Sequence, residues 1–405
     1  MKEYWQDNKY ELITTFFIFT NLFPAWFPQW MYYVAFALIL LKMREFQPLG
    51  GTNKTGLFWG FIAFLWFTTT VGNALDFRLV IFTFIFYICA PRGSWEWHLY
   101  KKKLLFNIFL GFGFATLANF YAKLNGINLA KADKFMESMG RVVEFCGFAS
   151  HPMWTSCAAA ISAVFFSSMA FRDDLRNKWL KWCCYAMILI SLYITMIAAS
   201  RAAFFLSLAC SALVIRMQAK EMTTLFRNVF IVGITTVAFA PVLIDNSNAM
   251  LHKKNGLEIT TKNTSRDELW SQRIAEFYSS PIIGIGFAAH GVGANKVVGR
   301  NESGGSFISV LAQAGIIGII FIALIWAAAI MMPSRVREDP NLILVYASFV
   351  FFSIHSIIEG YMFQAGWYLC LVIWLVIGVM IEHKEYGNLY KDIEEEDENE
   401  IHEIV

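Results

Sequence analysis

The sequence predicts an all-α polytopic membrane protein of about twelve transmembrane helices, interrupted by one large helical loop. Hydrophobic residues make up 57% of the 405 positions against 16% charged, and the mean hydropathy is +0.49. The apolar residues fall in long blocks divided by short charged loops, and the alternation of a β-barrel is absent. A span needs about 20 apolar residues and must satisfy its backbone polar groups internally, which such blocks allow. A net charge of +2 provides no field to recruit nucleic acid. The seven cysteines form no CxxC pair and lie mostly in apolar runs, so they read as small packing residues.

In chain order, the apolar runs are Leu12 to Phe23, Trp30 to Leu41, Leu57 to Val71, Leu79 to Ala90, Leu104 to Tyr121, Pro152 to Phe171, Trp179 to Ala199, Ala202 to Ile215, Val229 to Ile244, Phe307 to Met332, Leu342 to Ile358 and Met362 to Ile381. Several are short for a full crossing, notably the second, fourth and eighth, so a merged or re-entrant segment is compatible with the pattern. No cleavable signal is expected, because Lys2 to Glu11 is polar and further spans follow. With the N-terminus placed inside, 20 of the 33 Lys and Arg residues fall on that side. This bias puts both termini in the cytoplasm. The resulting layout is spans one to nine over 1–244 with an outer loop at 123–151, a large outer loop at 245–305, spans ten to twelve over 306–383, and an acidic tail at 384–405. The tail holds eight acidic residues between Asp392 and Glu403 and reads as solvated and disordered. No repeat with a 20- to 50-residue period is visible, nor the paired broken spans of an inverted-repeat transporter.

The large loop carries helix signals. Ser265 and Glu268 make an S-x-x-E capping box, Leu269, Trp270, Ile274, Phe277 and Tyr278 recur at helical spacing, and Pro281 follows. An amphipathic helix at the membrane surface is expected. Arg266 and Arg273 lie seven residues apart, nearly on one face with Trp270 between them, a pattern suited to a sugar-phosphate or pyrophosphate. Pairing of Arg273 with Glu276 or Glu268 is the plain alternative. Arg201 sits between apolar stretches at a span boundary, where burying a guanidinium without an anion is costly. It is either an anion-binding residue or an arginine snorkelling from a helix end. Gly284, Gly286, Gly291 and Gly293 suit tight turns beside a substrate. Glu302, just before Gly304 and Gly305, is the best carboxylate for a general base, against the reading of a solvated loop glutamate. Arg141, His151, His290 and Arg300 complete the candidate substrate-binding set. No H-x-x-x-H, no outer-loop D-x-D and no Cys–His cluster occurs, so neither a metal nor a cofactor is expected.

Several segments resemble one family. SRAAFF at Ser200 to Phe205, SRDELW at Ser265 to Trp270, SSPIIGIGF at Ser279 to Phe287 and SFISVLAQAGIIG at Ser306 to Gly318 are similar, in order and spacing, to the O-antigen polymerase and O-antigen ligase superfamily. GFASHPMWTSCA at Gly147 to Ala158 is similar to the family segment after its first outer loop. The resemblance covers roughly Arg141 to Gly318. It implies a metal-independent, inverting glycosyltransferase of the bacterial inner membrane, with its active site facing the periplasm. The donor would be an undecaprenyl-pyrophosphate-linked glycan and the acceptor a glycan or lipid-linked sugar, in contact with membrane lipid; a chain-length regulator is admitted as a partner. Arg201 and Arg266 match the family arginines that hold the donor pyrophosphate. A family histidine about eleven residues before the glycine matching Gly315 is replaced here by Gly304, which leaves Glu302, or His290 if the loop folds back, as the base. The departure favours a repeat-unit polymerase over a ligase. A lipid-linked glycan flippase is the alternative from another class, and the nearly charge-free spans weigh against it.

Overall fold

The computed structural model describes residues 2–46, 53–129, 145–149, 151–172, 175, 177–219, 221, 223, 226–227, 265–298, 304–331, 336–337 and 339–404. Among them are twelve α-helices. In chain order these are α1 (Lys2–Thr20), α2 (Trp30–Met43), α3 (Asn53–Val71), α4 (Phe77–Cys89), α5 (Trp95–Leu124), α6 (Pro152–Ala170), α7 (Lys178–Ile197), α8 (Arg201–Gln218), α9 (Ser265–Ser279), α10 (Ser306–Ala329), α11 (Pro340–Ile358) and α12 (Tyr368–Ile404). A two-stranded antiparallel hairpin pairs β1 (Ala289–His290) with β2 (Val297–Val298). The run Val229 to Ile244 lies outside the described residues; each other apolar run falls on a helix. Six helices, α5 to α8, α10 and α11, are long and apolar enough to cross a membrane. The protein is therefore an all-α, multi-pass membrane protein. Helices α2 and α4 are apolar but shorter.

The chain divides into two compact units, 1–35 with 106–264 and 333–358, and 36–105 with 265–332 and 359–405. In the first, α6 is the inner helix. Its sequence is rich in Ala and Ser, side chains small enough to let neighbouring backbones approach on every side. Accordingly α6 is mostly buried, whereas α7 and α8, which pack on it, leave bulky residues such as Trp179, Trp182 and Phe205 exposed. Within that packing Ser162 and Ser191 exchange a buried hydroxyl hydrogen bond of 2.9 Å. Gln218 Nε2 donates to the carbonyl of Ser168 at 3.0 Å, so a polar side chain is satisfied on a helix backbone.

In the second unit, α10 packs on α3, α9 and α12, and α4 on α3 and α12. An aromatic cluster of Phe58, Phe82, Phe86, Phe363 and Trp374 fills the space between them. Two expectations are corrected here. The last span does not begin at Met362: residues 359–367 form turns, and α12 starts at Tyr368. Those turns are fixed by Trp374 Nε1 donating to Met362 O (3.0 Å) and by Ser306 Oγ, which donates to Glu359 O (2.7 Å) and accepts from Met362 N (3.1 Å). The acidic tail is also not disordered but helical to Ile404. A helix already nucleated by a packed span extends at little cost through Glu and Lys, both good helix formers.

Buried charge pins α5 to α12. Lys101 Nζ lies 2.5 Å and His98 Nδ1 3.3 Å from Glu382 Oε2, all with fully buried side chains, and Arg92 N donates to Glu382 Oε1 at 3.0 Å. Removing one partner of a buried pair strands the other charge. Glu382→Ala is expected to lower stability by roughly 3–5 kcal/mol in a denaturation titration of the detergent-solubilised protein. The double variant Lys101→Met, Glu382→Met should recover most of that loss; equal melting of Glu382→Ala and wild type would contradict the pairing.

Candidate functional site

The large loop is organised by a break in α10. Gly315, in the run Ala312 to Gly318, takes φ 64° and ψ −163°, which no helix accommodates and which favours glycine. An unbroken helix would bond Ile316 N to Ala312 O and Ile317 N to Gln313 O, the i to i−4 pattern. The break frees all four groups. Residues 281–286 take them up: Ile316 N donates to Pro281 O (2.9 Å), Ile317 N to Ile282 O (3.3 Å), Ile285 N to Ala312 O (3.0 Å) and Gly286 N to Gln313 O (3.1 Å). The exchange continues through side chains, with Ala288 N donating to Gln313 Oε1 (2.9 Å) and Phe287 N to Thr69 Oγ1 (3.0 Å). Phe287 is fully buried, its ring 5.0 Å from that of Phe82 and 5.4 Å from that of Phe363. Approach of the two backbones is so close that a Cβ at Gly284 would meet Gln313 C at 2.3 Å, and one at Gly315 would meet Ile282 O at 2.3 Å.

On either side of this stitched segment lie α9 and the hairpin, and they meet at Arg273. Its Nη1 donates to Glu276 Oε2 (2.6 Å) and Ala289 O (3.1 Å), and its Nη2 lies 2.5 and 2.6 Å from the two ring nitrogens of His290. Glu276 Oε1 also accepts from Gly291 N at 2.6 Å. Arg273 and Glu276 are buried, whereas Trp270, Ile274 and Tyr278 are exposed. Helix α9 is thus amphipathic in the reverse sense to a water-borne surface helix: the ion pair faces the hairpin and the apolar stripe faces out. Burial pushes the Arg273 guanidinium below its ordinary value, and the Glu276 carboxylate opposes that shift. At the start of α9, Trp270 Nε1 donates to Gly304 O at 2.9 Å, which ties the helix to the entrance of α10.

The first unit supplies two candidates. His151 is the N-cap of α6, its Nδ1 accepting from Met153 N at 3.2 Å. Arg201 is the first residue of α8 and is exposed. The turn before it holds Ala199 at φ 56°, a left-handed conformation costly for a residue with a Cβ. Ser200 is the N-cap residue and its hydroxyl makes no capping bond.

No known family model matches the chain, and no curated protein matches it significantly. Site assignment therefore rests on this geometry and on the motifs.

Of the residues singled out by sequence, the structure brings Arg273 together with His290 and ties Trp270 to Gly304. Arg273 follows the plain alternative, pairing with Glu276, because the hairpin offers it a carbonyl and an imidazole as well. Arg266 lies in the first turn of α9, and its side chain is outside the described set. Arg141, Arg300 and Glu302 lie outside the described residues. Sequence reasoning did not single out Gln313 or Thr69, which receive the stitched loop, nor Lys296, whose ammonium donates to Gly72 O at the end of α3. Gln313 carried a signal, as a lone amide in an apolar span.

Gly284→Ala is expected to destabilise the protein by more than about 2 kcal/mol, since backbone cannot yield as a flexible side chain does. Gly56→Ala, in open space on α3, should be neutral or mildly stabilising. Thermal unfolding of both in detergent checks this; like melting temperatures would refute the stitching.

Proposed function

We propose that the protein is a polymerase of undecaprenyl-pyrophosphate-linked oligosaccharide repeat units. In this reading it lies in a bacterial inner membrane with about twelve spans, both termini in the cytoplasm and the reaction at the periplasmic face. The observation that carries the reading is Arg201, exposed as the first residue of α8. A helix N-terminus presents unpaired N–H groups and the positive end of the dipole, and a guanidinium there matches phosphate geometry. The left-handed Ala199 just before it lends support, since strain of this kind concentrates at functional positions. Further support comes from the motifs: SSPIIGIGF and AQAGIIG, quoted above for the family resemblance, are the two sides of one hydrogen-bonded unit here.

The chemistry is attack of an acceptor sugar hydroxyl on the anomeric carbon of the donor, with inversion. A C–O bond forms to the acceptor as the bond to the pyrophosphate oxygen breaks. Arg201 and Arg266 neutralise the charge that gathers on the departing lipid pyrophosphate, an electrostatic role that needs no proton transfer. Glu302 removes the hydroxyl proton. Arg273 keeps α9 in register with the hairpin.

Arg201→Ala and Arg266→Ala are each expected to abolish polymer while leaving protein level unchanged. Electrophoresis of surface glycan from complemented cells reads the outcome, and normal chain length in either variant would overturn the reading. Single repeat units in the deletion strain mark a polymerase; long chains retained on the carrier lipid would instead mark the ligase.

A further inference from the structure

A cleft of about 360 Å³ opens in the second unit, between the end of α3, the end of α9 and the hairpin. That volume is at the lower end for ligand pockets, enough for one or two sugar residues and too small for a lipid tail. Bare backbone at Gly72, Gly284 and Gly291 forms part of the wall, and Ser279 and Ser280 bring hydroxyls. Among the lining residues Lys296 has the one charged side chain. Its ammonium has three donors, and the Gly72 carbonyl takes one. That leaves two donors on a side chain that lines the cleft. The Glu276 carboxylate is committed to Arg273 and to Gly291 N. Val71, Ile283 and Val292 add apolar surface of the kind that packs on the C–H face of a pyranose.

We infer that this cleft binds an anionic sugar residue, its carboxylate or phosphate held by Lys296 and its hydroxyls by Ser280 and by Ser279, whose hydroxyl donates to Glu276 O and is left to accept. That the ligand is a sugar rests on the proposed function; that it is an anion rests on Lys296. In a polymerase the cleft would select repeat units that carry an acidic sugar.

The test uses the wild-type protein in detergent and the rate at which an N-hydroxysuccinimide ester acylates Lys296, read by peptide mass spectrometry with exposed Lys178 as internal reference. Burial lowers the affinity of Lys296 for its proton, which leaves more of the reactive free amine. D-Glucuronate and glucose 6-phosphate should slow acylation of Lys296 relative to Lys178, by about twofold at a concentration equal to Kd and further above it. Neutral D-glucose should protect markedly less, and so should inorganic phosphate. Absence of protection by both anionic sugars overturns the site. Equal protection by D-glucose overturns the role of Lys296, and equal protection by inorganic phosphate overturns the sugar. Polymer formation does not enter this readout, so a failed polymerase assay and a failed protection assay are distinct results.

Discussion

Four peptide groups released by Gly315 govern the second unit. Ala312 and Gln313 lose their acceptor role to Ile316 and Ile317, and the loop 281–286 replaces both bonds from each side. Within an apolar span the alternative to such replacement is unsatisfied backbone, at a cost of several kcal/mol per group. The break and the loop therefore require each other. A continuous α10 would leave no place for the loop, and a loop of different length would leave the break unsatisfied. Because α9 ends two residues before the stitched segment and the hairpin begins one residue after Ala288, the position of both is inherited from the break.

That inheritance explains how Arg273 comes to be buried. The stitched segment reverses the chain so that Ala289 and His290 face α9, and a guanidinium is the side chain that can satisfy a carbonyl, an imidazole and a carboxylate together. Helical spacing places Arg266 and Arg273 on nearly one face of α9, yet spacing says nothing of which face meets the protein. With the ion pair inward, the residues left outside include Trp270, Ile274 and Tyr278, an apolar and aromatic stripe suited to the boundary between water and lipid, flanked by exposed Ser271 and Gln272.

The helices were legible in the sequence because a span must be apolar along its whole length and needs no partner to be recognised. So was the extent of α9, marked by Ser265 at one end and Pro281 beyond the other. The break in α10 was not legible as a break. Gly315 sits in an apolar run broken by the amide of Gln313, and glycine is common in membrane helices, so only the partner segment reveals what it does. The turns at 359–367 were hidden for the same reason: Tyr361, Met362 and Phe363 are as apolar as a helix interior, and what holds them out of a helix includes a hydrogen bond that Met362 N donates to a hydroxyl 56 residues earlier in the chain. The helical tail escaped for the opposite reason, since composition rich in acid describes solvation and not backbone state.

Basic residues in this chain divide by what the backbone around them demands. Lys101 is matched to Glu382 and Arg273 to Glu276, each pair buried and each needed to hold two segments together. A cation so placed has exchanged hydration for a fixed anion and gains nothing from releasing it to a substrate. Arg201 is exposed at a helix start that itself attracts negative charge. Lys296 is intermediate, with one donor committed to the carbonyl after α3 and its side chain lining a cleft beside a carboxylate that is already paired. Within the second unit a negatively charged ligand is thus better served by Lys296 than by Arg273, although sequence spacing had singled out Arg273 and not Lys296.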